Sequence, residues 1–283
     1  MPSDSPAPAA AKWGDLGVRT LSAAVLIPAV LADGWVGGIW FHLFVALIGI
    51  LMALEWVTIV HRASPLQFAL HAAGAMCGAL LPLDIGLLGG LIAIAVLALL
   101  SAVVAAFEEP GGAKWRYLGV IYVSVPPIAL VMLREDPAHG IAAIVFVMLM
   151  VWAADTFAYF AGRIIGGPKL APRISPKKTW AGLGGAMAGS AVAALAVAYA
   201  LGLGALAVLV VIAAVLAIVE QGGDLFKSAM KRHYGVKDSG RLIPGHGGVI
   251  DRVDGLVAVA TAAAVIGAAR AGVEHAGAGL LVW

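Results

Sequence analysis

Five carboxylates, two histidines and a set of lysines and arginines are gathered in residues 220–254 of a chain that is otherwise mostly Ala, Leu, Val, Ile and Gly. In EQGGDLFKSAMKR, residues 220–232, Glu220, Asp224, Ser228 and Lys231 recur at i, i+4, i+8 and i+11. That spacing puts them on one face of a helix, with Lys227 beside them. A glycine-broken stretch follows at 235–248, and then Asp251 and Asp254 open another apolar run. Asp251 alone says little, because an acid in the first turn of a helix is favoured by the dipole. Asp224 and Asp251 together are a pair of hard oxygen donors. Mg²⁺ takes one or two carboxylates and completes its shell with water and phosphate oxygens. Lys and Arg side chains close by would neutralise the phosphates themselves. His246 stands between glycines in PGHGG, a tight backbone that aims its ring, whereas His233 reads as structural. No Cys or His cluster has zinc-ligand spacing.

Two further polar groups interrupt the apolar pattern. In ADTFAYFAGRIIGG, residues 154–167, Asp155 falls inside an apolar segment or at its end, with Tyr159 and Arg163 on the same helix face. A carboxylate at that depth is costly and marks a functional site unless it only pairs with Arg163. In KLAPRISPKKTW, residues 169–180, Lys177, Lys178 and Thr179 precede an apolar helix expected to start near Trp180. Free N–H groups at a helix N-terminus bind phosphate. The same loop would serve equally as a basic segment that fixes topology or touches anionic headgroups. Trp180 reads as an interface anchor.

The elements that carry these groups follow from composition. The chain of 283 residues is 62% hydrophobic and 12% charged, with mean hydropathy +0.99. A soluble domain has about 25% charged residues. Apolar runs near the thickness of a bilayer's hydrocarbon core indicate membrane-spanning helices, and they are too long and continuous for barrel strands. The reading is an all-α integral membrane protein, a polytopic helical bundle. Nine spans are expected, at 20–33, 36–60, 67–83, 86–107, 117–133, 141–162, 180–202, 203–222 and 253–269, with the join near residue 202 the least marked. Residues 1–19 form a tail, 20–162 an N-terminal set of transmembrane helices, and 163–283 a catalytic transmembrane region with polar loops. With nine spans, all of the 18 Lys and Arg except Arg134 and Arg270 fall on one side. Cytoplasmic segments carry the Lys/Arg excess, so the N-terminus and the polar loops are expected to face the cytoplasm. Cys77 is the sole cysteine, which excludes an internal disulfide. There is no Walker-type loop and no clean dinucleotide fingerprint.

Carboxylates for a metal and cations for phosphate, set at a membrane face, point to phosphoryl or nucleotidyl transfer involving a lipid. The segment SAMKRHYGVKDSGRLIPGHGGVIDRVD, residues 228–254, resembles the signature of the phosphatidate cytidylyltransferases, or CDP-diacylglycerol synthases. Each fixed position of that signature is met. The resemblance extends to Gly223–Asp224, to ISPKKTW at 174–180 and to DTFAYFAGR at 155–163; the N-terminal half matches in hydropathy alone. Ala181 departs from the family, which often has Glu there. The resemblance implies that CTP and phosphatidate give CDP-diacylglycerol and pyrophosphate with Mg²⁺, in some members beside K⁺, and that Asp224 and Asp251 hold the metal. The candidate catalytic residues are then Asp224, Lys231, Arg232, Lys237, Asp238, His246, Asp251, Arg252 and Asp254. Candidate substrate-binding residues are Asp155, Tyr159, Ser175, Lys177, Lys178, Thr179 and Ser228. Expected partners are CTP, phosphatidate in the bilayer of the inner membrane, and a second copy of the chain as a homodimer, but no nucleic acid. Rival readings are a CTP-dependent lipid kinase, a cytidylyltransferase for an isoprenoid ether lipid, and an ion-coupled transporter using Asp155, Asp224 and Asp251.

Overall fold

A computed structural model describes residues 28–108, 114–243 and 247–283, with the backbone alone at 83 and 84. Residues 28–36 are helical (α1). There follow α2 (Gly38–Val60), α3 (Pro65–Glu108), α4 (Trp115–Arg134) and α5 (Gly140–Ile164). A two-stranded antiparallel hairpin comes next, β1 (Lys169–Ala171) and β2 (Ser175–Thr179). Then come α6 (Trp180–Leu201), α7 (Leu206–His233), α8 (Ile250–Ala271), a short 3₁₀ turn (Val273–His275) and α9 (Ala276–Leu281).

Among the described residues, seven helices are long and apolar enough to cross a membrane. They correspond to seven of the nine expected spans. The other two are not established as spans: the run at 67–83 is helical but belongs to the first arm of α3, and most of 20–33 lies outside the described residues. The arms of α3 meet at Gly86, whose φ of 71° and ψ of 174° break the helix. Side chains rarely adopt that backbone, and Gly accepts it without a Cβ clash. The join near 202 is now explained, because Gly202 ends α6 in the left-handed conformation with its N–H bonded to Ala198 and Tyr199 carbonyls.

The core is built from the inward faces of α2, α4, α5, α6, α7, α8 and α9, with Leu133, Phe146, Met150, Leu216 and Leu280 fully buried. Large apolar side chains such as Leu88, Tyr199 and Val211 point outward, as they do on a helix that faces lipid rather than water. Helix α6 packs against α5 through Gly185 and Gly189. A Cβ on Gly185 would stand 2.6 Å from the Phe157 carbonyl oxygen, and one on Gly189 2.7 Å from that of Ala153. Small residues permit this backbone approach, and membrane helices associate through it in place of a hydrophobic driving force.

Arg134 and Arg270 each close a helix. Arg134 closes α4, where its guanidinium donates to Gly34 and Trp35 carbonyls. Arg270 closes α8 and donates to Gly279 and Val282. Asp136, just beyond α4, accepts from the Ala278 N–H at 2.7 Å, so these ends share one pole of the bundle. The polar residues of α7 and the start of α8 occupy the opposite pole.

Candidate active site

Helix α7 is 28 residues long and changes character midway. Its first half is apolar. From Glu220 onward the expected face appears, with Glu220, Lys227 and Lys231 all under 9% exposed. Lys227 is the hub. Its Nζ lies 3.1 Å from Asp224 Oδ1 and 3.4 Å from Asp251 Oδ1, and it pairs with Asp254 as well. Lys231 pairs with Asp251 one turn on. Asp224 and Asp254 also meet side chain to side chain.

The hairpin closes over this face. Gly166 and Gly167, both at positive φ, turn the chain out of α5 into β1. Strand β2 brings Lys178 Nζ to 2.6 Å from Asp224 Oδ2 and 2.6 Å from Gln221 Oε1. Gln221 in turn donates to Glu220 Oε2 at 2.6 Å. Asp155 reaches Glu220 from α5. Arg163 does not pair with Asp155: it donates to the Tyr159 hydroxyl at 2.6 Å, which leaves Asp155 to the cluster. Thr179 caps α6, its Oγ1 accepting from Gly182 N at 3.0 Å, and Trp180 N donates to the Pro168 carbonyl. Two of the amides expected to meet phosphate are therefore already engaged. A pocket of about 430 Å³ remains between these elements, lined by Asp155, Tyr159, Arg163, Lys177, Lys178 and Asp224 among others.

Most of the expected residues converge. Asp224, Lys231, Asp251 and Asp254 form one cluster. Asp155, Tyr159, Lys177, Lys178 and Thr179 line the adjoining pocket. Ser228 sits at the margin, its hydroxyl 3.4 Å from Asp224 Oδ1. Ser175 lies in β2 opposite Ala171 and is not part of the pocket lining. Arg232, Lys237, Asp238 and Arg252 are exposed. His246 lies outside the described residues. Glu220 and Lys227 shared the predicted face but were given no role, although Lys227 contacts three of the acids.

Asp155, Glu220, Asp224, Asp251 and Asp254 outnumber Lys178, Lys227 and Lys231 in this enclosure. Surplus carboxylate in an apolar surround is costly unless a cation meets it. The donor set, all hard oxygens with two carboxylates facing one ammonium, suits Mg²⁺. Among the described residues no three Asp, Glu, His or Cys side chains enclose an ion-sized space.

Residues 17–269 match the model of the cytidylyltransferase family. The chain belongs to that family. It is 42% identical over 90% of its length to a phosphatidate cytidylyltransferase of Brucella abortus biovar 1 (strain 9-941), covering 94% of that protein. It is 37% identical to one of Pseudomonas aeruginosa, over 85% of this chain and 92% of that one. A third, of Staphylococcus epidermidis, is 33% identical over 86% and 95%. In this cytidylyltransferase the family match crosses both halves of the chain, including helices α2 to α4 that carry no recognisable motif.

One residue of that N-terminal half reaches the site and was missed from sequence. Glu55, in the C-terminal part of apolar α2, is 3% exposed and accepts hydrogen bonds from the loop before α8 and from α8 itself. A carboxylate inside an otherwise apolar span was the signal available.

Proposed function

We propose that this chain is a phosphatidate cytidylyltransferase, transferring the cytidylyl group of CTP to phosphatidate to give CDP-diacylglycerol and pyrophosphate. The observation that carries the reading is the meeting of the signature acids and lysines at one place. Lys227 stands between Asp224 of α7 and Asp251 of α8, and Lys178 of the hairpin holds Asp224 from the pocket side.

A phosphate oxygen of phosphatidate attacks the α-phosphorus of CTP. The bond to the bridging oxygen of pyrophosphate breaks, and that oxygen leaves with its electron pair. Phosphatidate is already an anion at neutral pH and requires no strong base. Both reactants are anionic, so the first task of the protein is to offset their repulsion. Lys177 and Lys178 present cations at the pocket, and Lys227 and Lys231 stand in the adjoining cluster of carboxylates. Positioning and electrostatics dominate such transfers. Asp224 and Asp251 would hold Mg²⁺, which offsets charge on the phosphate oxygens as the leaving group departs. The Lys/Arg-rich pole faces the cytoplasm of the inner membrane on the positive-inside rule, where CTP is available. The outward apolar helices keep the lipid substrate in its own solvent.

The test uses purified protein in detergent, phosphatidate, and CTP labelled on either the α- or the γ-phosphate, with Mg²⁺ or with chelator. Label from the α-position is expected in lipid only with Mg²⁺, with one pyrophosphate released per lipid. Label from the γ-position in lipid would instead show a kinase, and no transfer in folded protein would overturn the enzyme reading.

A further inference from the structure

Glu55 is the only acidic residue in α2, and its carboxylate is fully used. Its Oε1 accepts from Val249 N at 2.8 Å, and its Oε2 accepts from Ile250 N at 2.9 Å and from the Ser239 hydroxyl at 2.8 Å. The first amides of a helix have no acceptor within it. Helix α8 has no side-chain cap from its own N-cap residue, Val249, so α2 supplies the cap from across the bundle. Three hydrogen bonds thus hold the carboxylate. Gly240 and Gly248 make room for it: a Cβ on either would stand 2.6 Å from a Glu55 oxygen.

Ser239 carries the contact onward. Its N–H donates to Asp251 Oδ2 at 2.8 Å, and its hydroxyl lies 3.0 Å from the same oxygen. That hydroxyl has one proton and stands between two carboxylates. Asp251 Oδ2 is thereby fixed, and Oδ1 is the oxygen that faces Lys227 and Lys231.

We propose that Glu55 is a positioning residue: by holding Ser239 and the first amides of α8, it fixes the carboxylate of Asp251 with Oδ1 turned to the cation and phosphate. The inference rests on reading Asp251 as a ligand of the cation. Outer partners that orient a ligating carboxylate are worth about 10–100-fold in metal affinity or activity.

The test compares wild type, Glu55→Gln and Ser239→Ala in detergent. Three quantities are followed: turnover at saturating Mg²⁺, the Mg²⁺ concentration for half-maximal rate, and hydrogen exchange of the amides of residues 236–252 in metal-free protein. Both variants are expected to need about tenfold more Mg²⁺, and the double variant little more than either single one, because the two act through one chain of contacts. Exchange at 239, 249 and 250 is expected to quicken in Glu55→Gln. A Glu55→Gln protein with a lowered melting point but unchanged Mg²⁺ requirement and unchanged turnover would show a merely structural cap and overturn the inference. Unchanged exchange in Glu55→Gln would overturn it whatever reaction the wild type performs. Failure of the wild type to transfer label concerns the reaction instead, and leaves the exchange measurement standing.

Discussion

Lys178 Nζ lies 2.6 Å from Asp224 Oδ2, joining the hairpin to α7 at the wall of the polar pocket. The pair is 16% and 27% exposed at its two side chains, so it is shielded enough to matter and open enough to exchange Asp224 for a phosphate. Lys178→Met removes both the cation and the anchor of β2. Turnover should fall about 100-fold, in the range seen when one preorganised group is removed from a charge-stabilising site. Initial rates at saturating CTP and phosphatidate check this; a loss below threefold would take Lys178 out of the reaction.

Asp251→Asn should insert and fold yet lose turnover. The amide keeps the size of the side chain and an acceptor for Ser239, but it gives up the charge that Lys227 and Lys231 meet. Label transfer at rising Mg²⁺, beside the elution profile of the protein in detergent, separates lost chemistry from lost folding. Activity near wild type would refute the assignment of Asp251 to the cation.

His61 lies between α2 and α3, outside both apolar spans, and burial first and the nearby Arg116 second push its pKa down to about 4. The folded protein therefore keeps His61 neutral where the unfolded chain, with an ordinary value near 6.5, takes up a proton. Stability rises with pH wherever the unfolded state binds more protons. The neutral ring leaves stability intact above pH 6.5 and withdraws up to about 3 kcal/mol as pH falls toward 4. Melting points in detergent at pH 7.5 and pH 5 should differ less for His61→Phe than for the wild type.

Asp136 does the opposite. It is 3% exposed, yet its carboxylate accepts from Ala138 N, His139 N and Ala278 N, and these bonds outweigh burial to hold its pKa below the usual carboxylate value. Its contribution is present at neutral pH and is lost as pH falls through that depressed value. Asp136→Ala should cost about 3 kcal/mol, roughly 1 kcal/mol for each bond, with turnover per folded molecule unchanged. Thermal unfolding with and without residues 276–283 tests whether the loss arises from the tie to α9.

The helices were legible because a bilayer demands long apolar runs, and α4, α5, α6 and α8 start and stop within a few residues of where those runs do, while α7 continues from 222 to His233 through the polar face. The cluster on α7 and α8 was legible for the converse reason: Glu220, Asp224, Lys227 and Asp251 stand out against an apolar ground. The hairpin was not, since strands of three and five residues rich in Lys and Pro show no alternation to read. Glu55 stayed hidden because its partners are two backbone amides and a serine far along the chain, and backbone donors leave no mark in a sequence.

The bond from Glu55 to the start of α8 also bears on how such a chain can be divided. Each recognisable motif lies after residue 154, which suggests a portable module. A fragment beginning there would leave the first amides of α8 without the Glu55 carboxylate and Ser239 with Asp251 alone. Chimaeras between relatives would have to carry α2 together with the loop at 239–250, since what is inherited as a unit is a fold-back between distant stretches rather than a contiguous block.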